Sequence, residues 1–172
     1  PTWSPDGKQI VYWSHIKTGV YMKPFDGSAD EKLIVSGLGR TYVTSWSRDG
    51  SSLILDRTAK GNQSDIYVVP MTGDRKPYAF LSTDFDEYMG TLSPDGKWLA
   101  YVSSESGAYQ VYVQPFPGRG GKWQISVQGG FEPRWSPDGK TLFYLQSSRM
   151  MAVAISTSPG FSAGQPQILF DG

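Results

Sequence analysis

One motif returns four times along this chain. It reads WSPDGKQIVYW from Trp3, WSRDGSSLILD from Trp46, LSPDGKWLAYV from Leu92 and WSPDGKTLFYL from Trp135. The glycines Gly7, Gly50, Gly96 and Gly139 stand 43, 46 and 43 residues apart. A period of that size marks stacked supersecondary units, none of which can bury its own faces alone. Three residues past each glycine come Ile10, Leu53, Leu99 and Leu142. Five past it come Tyr12, Leu55, Tyr101 and Tyr144. Short apolar runs rich in aromatic and β-branched residues, bounded by turn signals, predict buried strands. Pro and Gly recur too often for helices.

Each Asp-Gly pair predicts a hairpin turn, with Gly at positive φ and Asp tolerating it while bonding its own backbone. The expected turn residues are Ser4, Asp6 and Gly7; Ser47, Asp49 and Gly50; Ser93, Asp95 and Gly96; and Ser136, Asp138 and Gly139. Pro5, Pro94 and Pro137 preset φ there, while Arg48 takes the place of proline in the second copy and weakens that turn. A second element follows each hairpin: YMKP at Tyr21, YVVP at Tyr67, YVQP at Tyr112 and a degraded MAVA at Met151. Fourth strands are expected at 32–35, 77–81, 122–127 and 166–170. Four short strands per repeat make the blade of a β-propeller. The approximate repeats are 1–41, 42–87, 88–130 and 131–172, with Trp3, Trp46, Leu92 and Trp135 expected in the packing between blades.

The chain has 172 residues and no net charge, which gives no electrostatic reason to bind nucleic acid or anionic lipid. No stretch approaches the roughly 18–20 apolar residues that span a bilayer. Without cysteine there is neither disulfide nor thiolate chemistry. The chain opens on Pro1 with little sequence before the first Trp, so a fragment of a longer protein is expected. Four blades would close a rare four-bladed ring, join further blades in a ring of roughly six to eight, or self-associate as a dimer of about eight.

The repeated pattern resembles the WD40-like, TolB-type (PD40) propeller of bacterial proteins, through all four copies. From Phe85 to Leu145, and in the tail PQILFDG from Pro166, it is most similar to the propeller segment of bacterial serine/threonine-kinase-associated TolB-like proteins. The resemblance implies an all-β propeller, a bacterial extracytoplasmic or periplasmic location and a non-catalytic module that docks a protein or senses a small ligand. No kinase signature occurs, so no kinase activity is carried over. The alternatives are the gating propeller of a prolyl-oligopeptidase-type serine peptidase, a polysaccharide lyase of similar fold, and a self-assembling fragment with no native ligand.

Chemistry is sparse. His15 is the only histidine, no G-x-S-x-G elbow occurs, and neither a triad nor a zinc site is expected. Asp84, Asp86 and Glu87 form the densest acidic cluster, and Ca²⁺ there is the one cofactor considered, against the expectation of none. Arg119, Gly120, Gly121 and Lys122 form a basic Gly-rich loop that would cradle phosphate only weakly, since no helix follows. SPDGKW at Ser93 resembles the Asp-box of sialidase propellers, but its turn role accounts for it. The candidate contact residues, chosen from loop position, are Asp84, Asp86, Glu87, Tyr88, Glu132 and Arg134.

Overall fold

The structure is a computed structural model that describes residues 1–58, 63–118 and 120–172. Its described residues form antiparallel sheets and no helix. The first sheet is β1 (Thr2–Trp3), β2 (Gln9–Ser14), β3 (Gly19–Pro24) and β4 (Lys32–Ser36). The second is β5 (Thr41–Trp46), β6 (Ser52–Thr58), β7 (Ser64–Pro70) and β8 (Tyr78–Leu81). The third is β9 (Glu87–Leu92), β10 (Trp98–Ser103), β11 (Gln110–Pro115) and β12 (Trp123–Gln124). The fourth holds β13 (Phe131–Trp135), β14 (Thr141–Gln146), β15 (Arg149–Ser156), β16 (Ser162–Ala163) and β17 (Gln167–Asp171). Strands pair in chain order within every sheet, except that β17 also pairs with β15. This is the strand order of propeller blades.

The repeat motif explains the first hairpin of each blade. In the first copy the Ser4 hydroxyl donates to Asp6 Oδ1 at 2.5 Å, and Asp6 Oδ1 accepts the Lys8 amide at 3.1 Å. Ser4 Oγ accepts the Gln9 amide at 2.8 Å, and the Gly7 amide closes onto the Ser4 carbonyl at 2.9 Å. Ser-to-Asp bonds of 2.6 Å recur at Ser47, Ser93 and Ser136. Within these four turns only the glycines take positive φ (69°, 77°, 68° and 71°), so the expected left-handed aspartate is corrected. The proline stands second in a Ser-to-Gly β-turn and Asp third, both in conformations ordinary residues adopt.

The second-element prolines end β3, β7 and β11 as expected. The degraded MAVA still forms β15, because β14 on one side and β16 and β17 on the other supply its ladder. The strand expected over 122–127 shortens to Trp123–Gln124. Beyond it the chain turns inward at Ser126, which is buried; its Oγ donates to Gln110 Oε1 at 2.6 Å and accepts the Val111 amide at 2.8 Å. β16 was not expected.

The chain divides into two compact units, Pro1–Gly90 and Thr91–Gly172. In the first, Val11, Val20 and Val35 of one sheet meet Val43, Leu53, Leu55 and Val69 of the next. In the second, Leu99, Tyr101, Val111, Leu142, Tyr144 and Val153 are buried. Trp135 spans two sheets of the second unit, its indole N–H donating to the Thr91 carbonyl at 3.2 Å. Trp3 does not share the expected burial: it is 54% exposed and packs on Phe25 at 5.8 Å.

Candidate functional site

In the first unit the loop joining β8 to β9 is held from inside. Glu87 is buried, and its carboxylate accepts both the amide and the hydroxyl of Thr83. Asp86 Oδ1 accepts the Ser64 amide at 2.9 Å, and Gln63 Nε2 donates to the Asp84 carbonyl at 2.5 Å. These bonds tie the loop to the start of β7. Asp56, which the sequence reading passed over, is also buried; its carboxylate accepts the Met89 amide at 2.6 Å and that of Gly90 at 3.5 Å. A Cβ on Gly90 would lie 2.8 Å from Ile54 Cγ2, so only glycine fits where β9 crosses β6. The loop therefore presents Asp84 and Phe85 outward, leaves Asp86 and Tyr88 half-buried, and uses Glu87 as a brace.

In the second unit Glu132 and Arg134 are exposed on β13. Glu132 has φ of 51°, at a register irregularity against β14, and Arg134 Nη1 donates to the Pro133 carbonyl at 2.9 Å. Lys122 pairs with Glu105 and lies 5.5 Å from the Tyr112 ring centroid, so it is committed away from a phosphate cradle. Arg119 lies outside the described residues. Trp98, Trp123 and Phe161 form an aromatic trio with centroids 4.7–5.7 Å apart, which no local sequence signal marked.

His15 is exposed, edge-on to Trp13 at 6.3 Å, and bonds no serine or carboxylate among the described residues. Among those residues no group of three or more His, Cys, Asp or Glu is arranged for a metal ion. In the acidic loop, Asp86 and Glu87 already accept protein donors.

A further feature of the first unit is a cleft of about 410 Å³ between the turns at Ser4 and Ser47. Its walls include Met22, Trp46, Met71, Arg48 and Arg75, with Asp6 and Asp49 at the turns. Both aspartates are held below the usual carboxylate range, first by the hydroxyls of Ser4 and Ser47 and then by backbone amides.

The family described as TolB beta propeller domain matches residues 1–171. The chain belongs to this TolB-type β-propeller family. It is 27% identical over 164 residues to the Tol-Pal system protein TolB of Francisella tularensis subsp. mediasiatica, covering 91% of this chain and 37% of that protein. The chain thus spans little more than a third of that relative. The solved structure of a putative TolB from Agrobacterium tumefaciens superposes with a TM-score of 0.80 at 21% identity, over 98% of this chain and 63% of that one. A puromycin-hydrolyzing peptidase of Mycobacterium tuberculosis superposes with a TM-score of 0.65 at 15% identity, over 99% of this chain and 37% of that one. Both likenesses are of fold.

Proposed function

We propose that this TolB-type propeller is a non-catalytic recognition module that docks a protein partner through rim loops in an extracytoplasmic bacterial compartment. The loop between β8 and β9 carries the reading. It is rigidly tied, yet it offers a carboxylate at Asp84 and an apolar ring at Phe85, which is 44% exposed. A preorganised loop loses little freedom on binding, so its exposed groups convert more fully into affinity. Tyr88 belongs to the same surface; Glu132 and Arg134 offer a separate contact in the second unit. A relative named for the Tol-Pal system supports a protein partner and the extracytoplasmic location. The likeness to a peptidase is one of fold and brings no catalytic group, so the gating-domain reading has no site behind it.

The test is retention of a periplasmic protein on the immobilised chain, compared with a variant carrying Asp84→Lys and Phe85→Ala. The expected result is one protein retained stoichiometrically by the native chain and lost by the variant, with thermal melts unchanged. Equal retention, or none, would reject the loop as the docking site.

A further inference from the structure

The cleft in the first unit is separate from the docking loop. That loop is tied to Ser64 at the start of β7, whereas the cleft is lined by the turn before β6 and by Met71, just past the end of β7. The two features therefore lie at opposite ends of the second sheet.

The cleft's polar groups differ in how far they are committed. Asp6 accepts from Ser4 and Lys8; Asp49 accepts from Ser47 and from the amide and hydroxyl of Ser51. The indole N–H of Trp46 donates to the Gly50 carbonyl at 3.1 Å, so Trp46 offers the cleft its ring and no donor. Arg48 and Arg75, by contrast, have no hydrogen bond, ion pair or ring contact among the described residues. Arg75 is half-buried and held at φ of 52°, a backbone that L side chains rarely adopt. Arg48 stands where the other three copies have proline.

In the second unit the corresponding turns approach more closely at one point. There a Cβ on Gly139 would meet Pro94 Cδ at 3.5 Å, whereas one on Gly50 would meet nothing within 4 Å. The turn glycine of this pair thus stands farther from the preceding turn's proline than its counterpart in the second unit. The cleft's volume lies within the range of small-molecule sites, which combine an apolar lining with a few orienting polar groups. Guanidinium groups match carboxylates in geometry and charge.

We propose that this cleft binds a small carboxylic acid with an apolar or aromatic body, the carboxylate held by Arg48 and Arg75 and the body by Met22, Trp46 and Met71. The site is independent of the docking loop.

The experiment uses the full ¹⁵N-labelled chain with N-acetylphenylalanine and its uncharged amide as probes, read by the indole N–H resonance of Trp46. The acid is expected to shift that resonance saturably with Kd at or below about 1 mM, and the amide to bind about tenfold more weakly. Arg48→Pro and Arg75→Gly should each weaken the acid by about fivefold or more. Both are compatible with the fold, since proline is the residue of the other copies and glycine accepts positive φ freely. Asp84→Lys with Phe85→Ala should leave acid binding unchanged, which separates this proposal from the docking loop. An unshifted resonance up to about 10 mM acid would overturn it. So would equal binding of acid and amide on the native chain, or unweakened binding by the double Arg48→Pro, Arg75→Gly variant.

Discussion

Residues Pro1–Gly90 and Thr91–Gly172 each carry two copies of the same serine–aspartate turn, but they finish the space between those turns differently. In the second unit Pro94 lies against Gly139, and the turns meet. In the first, Pro5 is exposed, Arg48 replaces proline, and a cleft of about 410 Å³ stays open. Pro5 is the counterpart of Pro94, so that shared proline does not set the spacing; the residue that differs is Arg48, where the second unit has Pro137. The strand cores show no such difference, since Leu53 and Leu99 are both fully buried.

Leu53→Asp and Leu99→Asp test that equivalence most severely. Each should lose about 3–5 kcal/mol, because the new carboxylate is buried without a partner. Urea melts that gave a much larger loss in one unit would show the cores to be unlike. Gly90→Ala comes next, at about 1–3 kcal/mol, since its methyl overlaps Ile54. The reciprocal exchange at the turns is smaller: Arg48→Pro should gain about 0.4–1 kcal/mol, and Pro137→Arg should lose about as much or more. Failure of that opposition in thermal melts would show that proline does not stiffen the two turns alike.

Acid should act on both units. Asp6 and Asp49 in the first and Asp138 in the second have carboxyls lowered from 3.8, chiefly by the serine hydroxyls. Their unfolded forms bind protons first, so the turns' contribution is whole at neutral pH and is lost as pH falls below about 4. Ser136→Ala should flatten that loss in melts run at successive pH values. The smallest effect belongs to Asp84→Asn, within about 0.5 kcal/mol by urea melt, because its side chain is exposed.

The blade pattern was legible because the forces behind it are local. Ser, Pro, Asp and Gly specify a turn within a few residues, and the strand runs beside them alternate between faces. The functional surface was less so. Glu87 reads as one of three loop acids, yet Thr83 draws it inward. Asp56 reads as the polar end of a strand, and its partners at Met89 and Gly90 lie over thirty residues away. The cleft was half-visible: Arg48 stood out as a departure from the repeat, but nothing near Arg75 in the chain places it beside that turn.

The serine–aspartate turn also bears on how such a chain is acquired and folded. Its bonds all close within a few residues, from Ser4 to Gln9 in the first copy and at matching places in the others. A hairpin of this kind can form on a timescale of about 1–10 μs without waiting for distant strands. A duplicated segment therefore brings its own turn wherever it lands, while its strands still need neighbouring blades to bury their faces. In the last copy this turn is intact although the second element has decayed to MAVA, whose strand is held by β14, β16 and β17.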